Sequence, residues 1–201
     1  EDILANEKKI GKIIISEPIS DELAGHVIAQ ILAINDFDEQ MSVLNTYTPE
    51  PIEMFINSGG GSATAGNAII SAMELSETPI VTYGVGIVAS MALGIFISGD
   101  VRIASRTARF MYHSIAYGTD GHIRDHEDSI KEANILQDIY NDLFIDRTKM
   151  TKETMERIRK EKKDFFFSGK KAVELGVADD VLQKPDKKYQ LVQEEELEEQ
   201  S

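Results

Sequence analysis

Apolar positions along this chain recur in blocks, some short and β-branched, others spaced at the period of a helix. The stretch Gly11-Lys12-Ile13-Ile14-Ile15 predicts a first strand. Ser20-Asp21-Glu22 then supplies N-cap chemistry for a helix whose apolar stripe is Leu23, Val27, Ile31 and Leu32. Ile52-Glu53-Met54-Phe55-Ile56 predicts the second strand, residues 57–62 a loop, and the Ala-rich residues 63–76 a helix. Pro79-Ile80-Val81-Thr82-Tyr83 predicts a third strand, followed by a turn around Ser90 and an apolar helix. Val101-Arg102-Ile103-Ala104 and Arg109-Phe110-Met111-Tyr112 predict two more short strands. Residues 125–149 form a long polar helix carrying Ile130, Ile135, Leu136, Ile139 and Leu143, the pattern of an arm packed on a partner rather than of a core helix. Helices over 151–160 and 168–175 follow, the second ended by Gly176, and residues 177–182 predict a last short strand. Strands alternating with helices at this spacing indicate βαβ crossovers and a largely parallel sheet.

The 201 residues, 42% of them hydrophobic, suffice for one well-buried domain and not for a second. That domain is expected over residues 1–184, with the arm at about 115–150, and residues 185–201 read as a polar acidic tail in solvated disorder. A net charge of -14 disfavours nucleic acid and anionic membrane surfaces as partners. The absence of cysteine excludes disulfides, thiolate zinc sites and a cysteine nucleophile, and fits a reducing, intracellular compartment. No segment has the length of a membrane span and no basic-then-apolar leader is seen.

Candidate chemistry centres on residues 83–99, YGVGIVASMALGIFISG, where Ser90 lies mid-run among small and apolar neighbours. On spacing alone Ser90 is either an idle core residue or a nucleophile presented on a strand-to-helix turn, with the Met91 N–H as an oxyanion donor. Gly84 to Ala89 also matches a GxGxxA dinucleotide pattern, but no ribose-binding acid follows at the expected distance. The loop Asn57-Ser58-Gly59-Gly60-Gly61 lacks the Lys-Ser/Thr ending of a nucleotide P-loop. It offers bare backbone amides beside a reacting centre, or it is a plain tight turn. Of the four histidines, His113 ends a predicted strand and is the best general base on offer. His26 sits within an amphipathic helix and reads as structural. His122 and His126, four apart among acids, read as a solvated helix start in preference to a surface metal site. Asp164, in KKDFFFS, is a candidate carboxylate and equally readable as an ordinary loop aspartate.

Taken together, FINSGGG with Thr64-Ala65-Gly66, GIVASMA at Ser90, FMYH ending at His113, and KDFFFSGKKAVELGVAD from Lys163 resemble the ClpP family, the proteolytic subunit of the ATP-dependent Clp proteases. The resemblance runs from about Asp2 to Leu182, and the order Ser, His, Asp agrees with it. It implies an α/β fold, a ClpP/crotonase-like superhelix of ββα units with a protruding handle helix. It implies a serine endopeptidase with Ser90 as nucleophile, His113 as base, Asp164 as the residue orienting the base, and Gly61 and Met91 as oxyanion donors. It further implies no metal or organic cofactor, peptide or unfolded-protein substrates, heptameric rings stacked in pairs through the handles, a cytoplasmic location, and a Clp ATPase as partner.

The chain departs from the family pattern in four places. Gly59 stands where the family has Pro, and Ser114-Ile115 where it has Gln-Pro. Lys162-Lys163 replaces an acid-Arg pair that contributes to contacts between rings, and Glu53 replaces an aromatic of the ATPase docking pocket. A catalytically silent, ring-forming or regulatory subunit is the alternative these departures raise. A crotonase-type acyl-CoA enzyme shares the fold and the backbone oxyanion hole, but no paired-carboxylate site near the glycine loop has clear spacing.

Overall fold

A computed structural model describes residues 11–44, 46–116, 118, 122–161 and 163–183. Along the chain these form β1 (Lys12–Ile15), α1 (Asp21–Met41), β2 (Ile52–Ser58), α2 (Ala63–Glu74), β3 (Ile80–Ala89) and α3 (Met91–Ile97). Then come β4 (Val101–Ala104), β5 (Arg109–Tyr112), α4 (Ile123–Arg147), α5 (Lys152–Glu161), β6 (Phe165–Ser168), α6 (Gly169–Glu174) and β7 (Asp180–Val181).

The main sheet is parallel with strand order β1-β2-β3-β4-β7. β3 is the longest strand and has two partners on one flank. Val81 to Gly84 pair with β4, and further along Ile87 to Ala89 pair with β5. β5 in turn pairs antiparallel with β6, forming a small platform off the C-terminal end of β3. β2 alternates inward Ile52, Met54, Ile56 and Ser58 with outward Glu53 and Phe55, the period expected when only one face is buried. On the outer face Phe55 stacks on Tyr83 with ring centroids 4.8 Å apart.

Helix α1 begins where the sequence says it should, the Ser20 hydroxyl accepting from the Leu23 N–H. Its buried stripe is Leu23, Val27, Ile31 and Ile34. Leu32, expected in that stripe, is 53% exposed. One residue past Ile31 turns the side chain about 100° off the buried face, whereas Ile34 returns to it. All seven residues of α3 are buried. It packs on α2 so closely that a Cβ on Gly66 would come within 2.2 Å of the Met91 side chain.

Three predicted elements change. β3 does not end at Tyr83: it continues to Ala89 because its far half gains both β2 and β5 as partners, with Gly86 in the left-handed region at φ 71° easing the irregularity. The last strand shrinks to Asp180–Val181. The run Phe165–Ser168, for which no strand is expected, is strand β6, and the helix expected from 168 starts at Gly169.

The long helix also divides. Gln137, Tyr140 and Phe144 in its C-terminal half are buried, and Tyr112, Tyr140 and Phe144 form a mutual ring cluster with centroids 4.9 to 5.6 Å apart. That half is a core helix. Ile123, Ile130, Ile135 and Ile139 remain exposed, as an arm requires. Arg102 anchors the helix's C-terminal end. It donates to the Arg147 carbonyl at 2.7 Å, to the Gly176 carbonyl at 2.9 Å and through Nε and Nη2 to Asp179 at 3.0 and 2.6 Å. Among the described residues no helix is long and apolar enough to cross a membrane. The expected tail at 185–201, and Lys162, lie outside the described residues.

Candidate active site

Ser90 sits between the last residue of β3 and the first of α3, at φ 54° and ψ -130°. It is the only non-glycine residue with positive φ among those described. Such a conformation costs on the order of 1–3 kcal/mol and persists only when its surroundings over-determine it. Here they do. The Ser90 N–H donates to the Met111 carbonyl at 2.9 Å, and the Ser90 carbonyl accepts from the Leu93 N–H at 2.9 Å and the Tyr140 hydroxyl at 2.6 Å. Burial, reinforced by neighbouring Tyr112, pushes Tyr140 well above the usual tyrosine range, so it stays a neutral donor. Behind the turn runs Gly60, at φ 98°, where a Cβ would lie 2.6 Å from the Ser90 Cβ. The bend and the bare backbone behind it leave Oγ projecting into the open.

β5 delivers His113. Its register with β3 sets Met111 beside Ala89, so two residues on, His113 reaches the Ser90 turn. His113 Nε2 lies 2.7 Å from Ser90 Oγ. The antiparallel register of β5 and β6 ends with Tyr112 opposite Phe165, which places His113 and Asp164 as the next facing pair. His113 Nδ1 and Asp164 Oδ1 are 3.8 Å apart, within ion-pair reach and beyond a hydrogen bond. Asp164 keeps 55% of its side chain exposed. The His113 imidazole is therefore engaged with the Ser90 hydroxyl and more loosely with the Asp164 carboxylate.

Gly61 forms an isolated bridge with Ile19. The Ile19 N–H donates to the Gly60 carbonyl at 2.9 Å and its carbonyl accepts from the Ser62 N–H at 2.8 Å. Because Ile19 bonds the residues on either side of Gly61, the Gly61 N–H points the other way. The loop before it is pinned by Ser58, whose hydroxyl accepts from the Gly60 N–H at 3.2 Å and donates to the Glu17 carbonyl at 2.7 Å. A Cβ at Gly59 would meet nothing within 4 Å. Met91 opens α3, where the first amides lack intrahelical acceptors. Gly61 and Met91 line one cavity of about 790 Å³ with Ser90 and His113. Met111, Leu136 and Tyr140 give that cavity apolar walls, and the helix α4 carboxylates of Asp128 and Glu132 border it.

The other histidines stand apart. His26 is exposed on α1. His122 caps α4, its N–H donating to Asp125 at 2.9 Å, and no three His, Asp or Glu side chains among the described residues converge as metal ligands. Sequence reasoning missed Tyr140 and, one turn around it, Gln137 and Asn141. Their spacing with Phe144 is one helical face, and its mixed polar and aromatic character is the signal that could have marked it as facing the site.

With this geometry established, comparison with known proteins adds the following. A family model described as Clp protease matches residues 2–185. Two relatives, both "ATP-dependent Clp protease proteolytic subunit", come from the BAV1 and CBDB1 strains of Dehalococcoides mccartyi. Each is 32% identical over 179 residues, covering 88% of this chain and 84% of the relative.

Proposed function

The chain belongs to the Clp protease family, and from that premise we propose that it is a serine endopeptidase with a Ser90, His113, Asp164 triad. The observation that carries the proposal is the 2.7 Å contact of Ser90 Oγ with His113 Nε2 on a strained strand-to-helix elbow. Ser90 Oγ attacks the scissile carbonyl while His113 Nε2 takes its proton. Asp164 holds the Nδ1 side of the ring and stabilises the imidazolium. The N–H groups of Gly61 and Met91 receive the negative charge on the tetrahedral oxygen. His113 returns the proton to the leaving amine, and water, activated the same way, releases the acyl group. The scheme draws on no metal or organic cofactor.

Peptides or unfolded proteins are the substrates this reading implies, cut inside a self-compartmentalised homo-oligomer of heptameric rings in the cytoplasm. The exposed apolar residues Ile14, Leu75, Ile135 and Ile139 support subunit association. A Clp ATPase is the partner that the relatives' names suggest. At the proposed docking position Glu53 pairs with Lys12 Nζ at 3.0 Å beside the Phe55–Tyr83 stack, so such docking has to accommodate a charged pair. A fluorophosphonate probe should label Ser90 in the assembled protein, and His113→Ala should abolish labelling. An assembled sample that takes up no label would sink the proposal.

A second reading, a ring-forming subunit without catalysis, is favoured by the 3.8 Å separation of His113 and Asp164. Light scattering beside a peptide-cleavage assay separates the two: rings that never cleave belong to the second.

A further inference from the structure

His113 stands where the sheet stops. The β5–β6 ladder ends at Tyr112 opposite Phe165, and residues 113–116 leave it as irregular chain along the cavity wall. Among the described residues this segment has one backbone hydrogen bond, from the Ile115 N–H to the Gln137 Oε1 at 2.7 Å. The Ser114 hydroxyl is buried without a hydrogen-bond partner among the described residues and anchors nothing. Gln137 itself is 3% exposed and is the one buried polar residue of α4. Its Nε2 donates to Asn141 Oδ1 at 2.8 Å, and the same oxygen accepts from the Tyr112 hydroxyl at 2.6 Å.

Tyr112, just before His113, and Ile115, two residues after it, are thus tied to one helical turn: Tyr112 through its hydroxyl to Asn141, and Ile115 through its N–H to Gln137. A side chain hung between two fixed points keeps its position, and one hung from a strand end alone swings. We infer that Gln137, braced by Asn141, is a positioning residue that holds the His113 backbone in place so that Nε2 stays within reach of Ser90 Oγ. The inference rests on the serine-peptidase reading for its catalytic consequence. The tether depends on an N–H at position 115, which a proline could not provide. Gln137 reaches no reacting atom and acts through the chain it holds.

The test compares Gln137→Met with Thr78→Val on a fluorogenic peptide. The Thr78 hydroxyl is a buried donor to Asp38 at the opposite end of β3, roughly 30 Å of strand away from Ser90, and serves as the matched loss of a buried hydrogen bond. Displacement of a catalytic group by about 1 Å costs up to a hundredfold. Gln137→Met is therefore expected to lower kcat about tenfold or more with KM within about twofold, while Thr78→Val leaves kcat within about twofold at a comparable loss of thermal stability. An unchanged kcat in Gln137→Met, a change confined to KM, or an equal kcat loss in Thr78→Val overturns the assignment.

Amide hydrogen exchange gives a readout independent of turnover. The Ile115 N–H should exchange at least about tenfold more slowly in the parent protein than in Gln137→Met. Equal rates overturn the tether. If the parent protein neither cleaves nor takes up the probe, the peptidase reading falls, and the tether stands or falls on the exchange rates alone.

Discussion

Gly60 and Ser90 share a space that only one side chain can fill. Ser90 is held at positive φ by four hydrogen bonds to its backbone, and a Cβ on Gly60 would lie 2.6 Å from the Ser90 Cβ and 2.8 Å from the Ala89 carbonyl oxygen. At φ 98° an L side chain at Gly60 is strained in addition. Relief of that overlap has to move the elbow, since the other colliding atoms are backbone. Gly60→Ala is therefore expected to lower kcat/KM for peptide cleavage by up to about a hundredfold, because small displacements of a nucleophile are that costly. Steady-state kinetics beside circular dichroism checks it, and a variant with native spectrum and near-native rate would contradict the packing argument. Tyr140→Phe removes only one of the four bonds on the turn. It should cost about 1 kcal/mol of stability in urea unfolding, with a partial loss of rate.

Pairing of β5 with β6 is what brings Asp164 beside His113. The pairing is held from below by aromatic packing: Phe167 is buried, stacks on Phe110 at 5.7 Å and tilts against Phe165 at 5.4 Å. Truncating Phe167 to Ala should cost about 3–5 kcal/mol. It should also slow fluorophosphonate labelling of Ser90, because β6 no longer fixes Asp164 beside His113. Chemical denaturation and labelling rates measured together test both halves; full stability loss with unchanged labelling would detach Asp164 from the chemistry. This element also marks where sequence reading stops. From the residues alone His113 stands out as the end of an aromatic strand run, while Ser90 stays open between core residue and nucleophile until the family resemblance is weighed. Asp164 is readable alone only as a candidate or an ordinary loop aspartate, because Phe165-Phe166-Phe167 carries no alternation and its strand exists only through pairing with a segment more than fifty residues earlier. The extension of β3 to Ala89 escapes for the same reason: glycines at 84 and 86 signal a turn locally, and the partners that override them are distant in sequence.

At the scale of the whole molecule, the site depends on where α4 is rooted, since Tyr140, Gln137 and Asn141 all stand on that helix. Arg102 supplies the root. Its mostly buried guanidinium joins β4 to the last carbonyl of α4, to the Gly176 turn and to Asp179 just ahead of β7. Removing it strands two carbonyls and a carboxylate at once, so Arg102→Met should cost about 2–4 kcal/mol in urea unfolding. Arg102 beside Asp179 holds that carboxyl below its usual value of 3.8, chiefly through their hydrogen bond. A depressed folded-state pKa means the unfolded chain binds the proton more readily. The stabilisation is thus fully present above about pH 4 and is lost as pH falls through the lower folded value. Thermal unfolding of the parent protein should show this loss below about pH 4, and Asp179→Asn should flatten that limb while lowering stability at neutral pH. An acid limb of unchanged steepness in Asp179→Asn would assign the acid sensitivity to other carboxylates and leave Arg102 holding α4 through its two carbonyls alone.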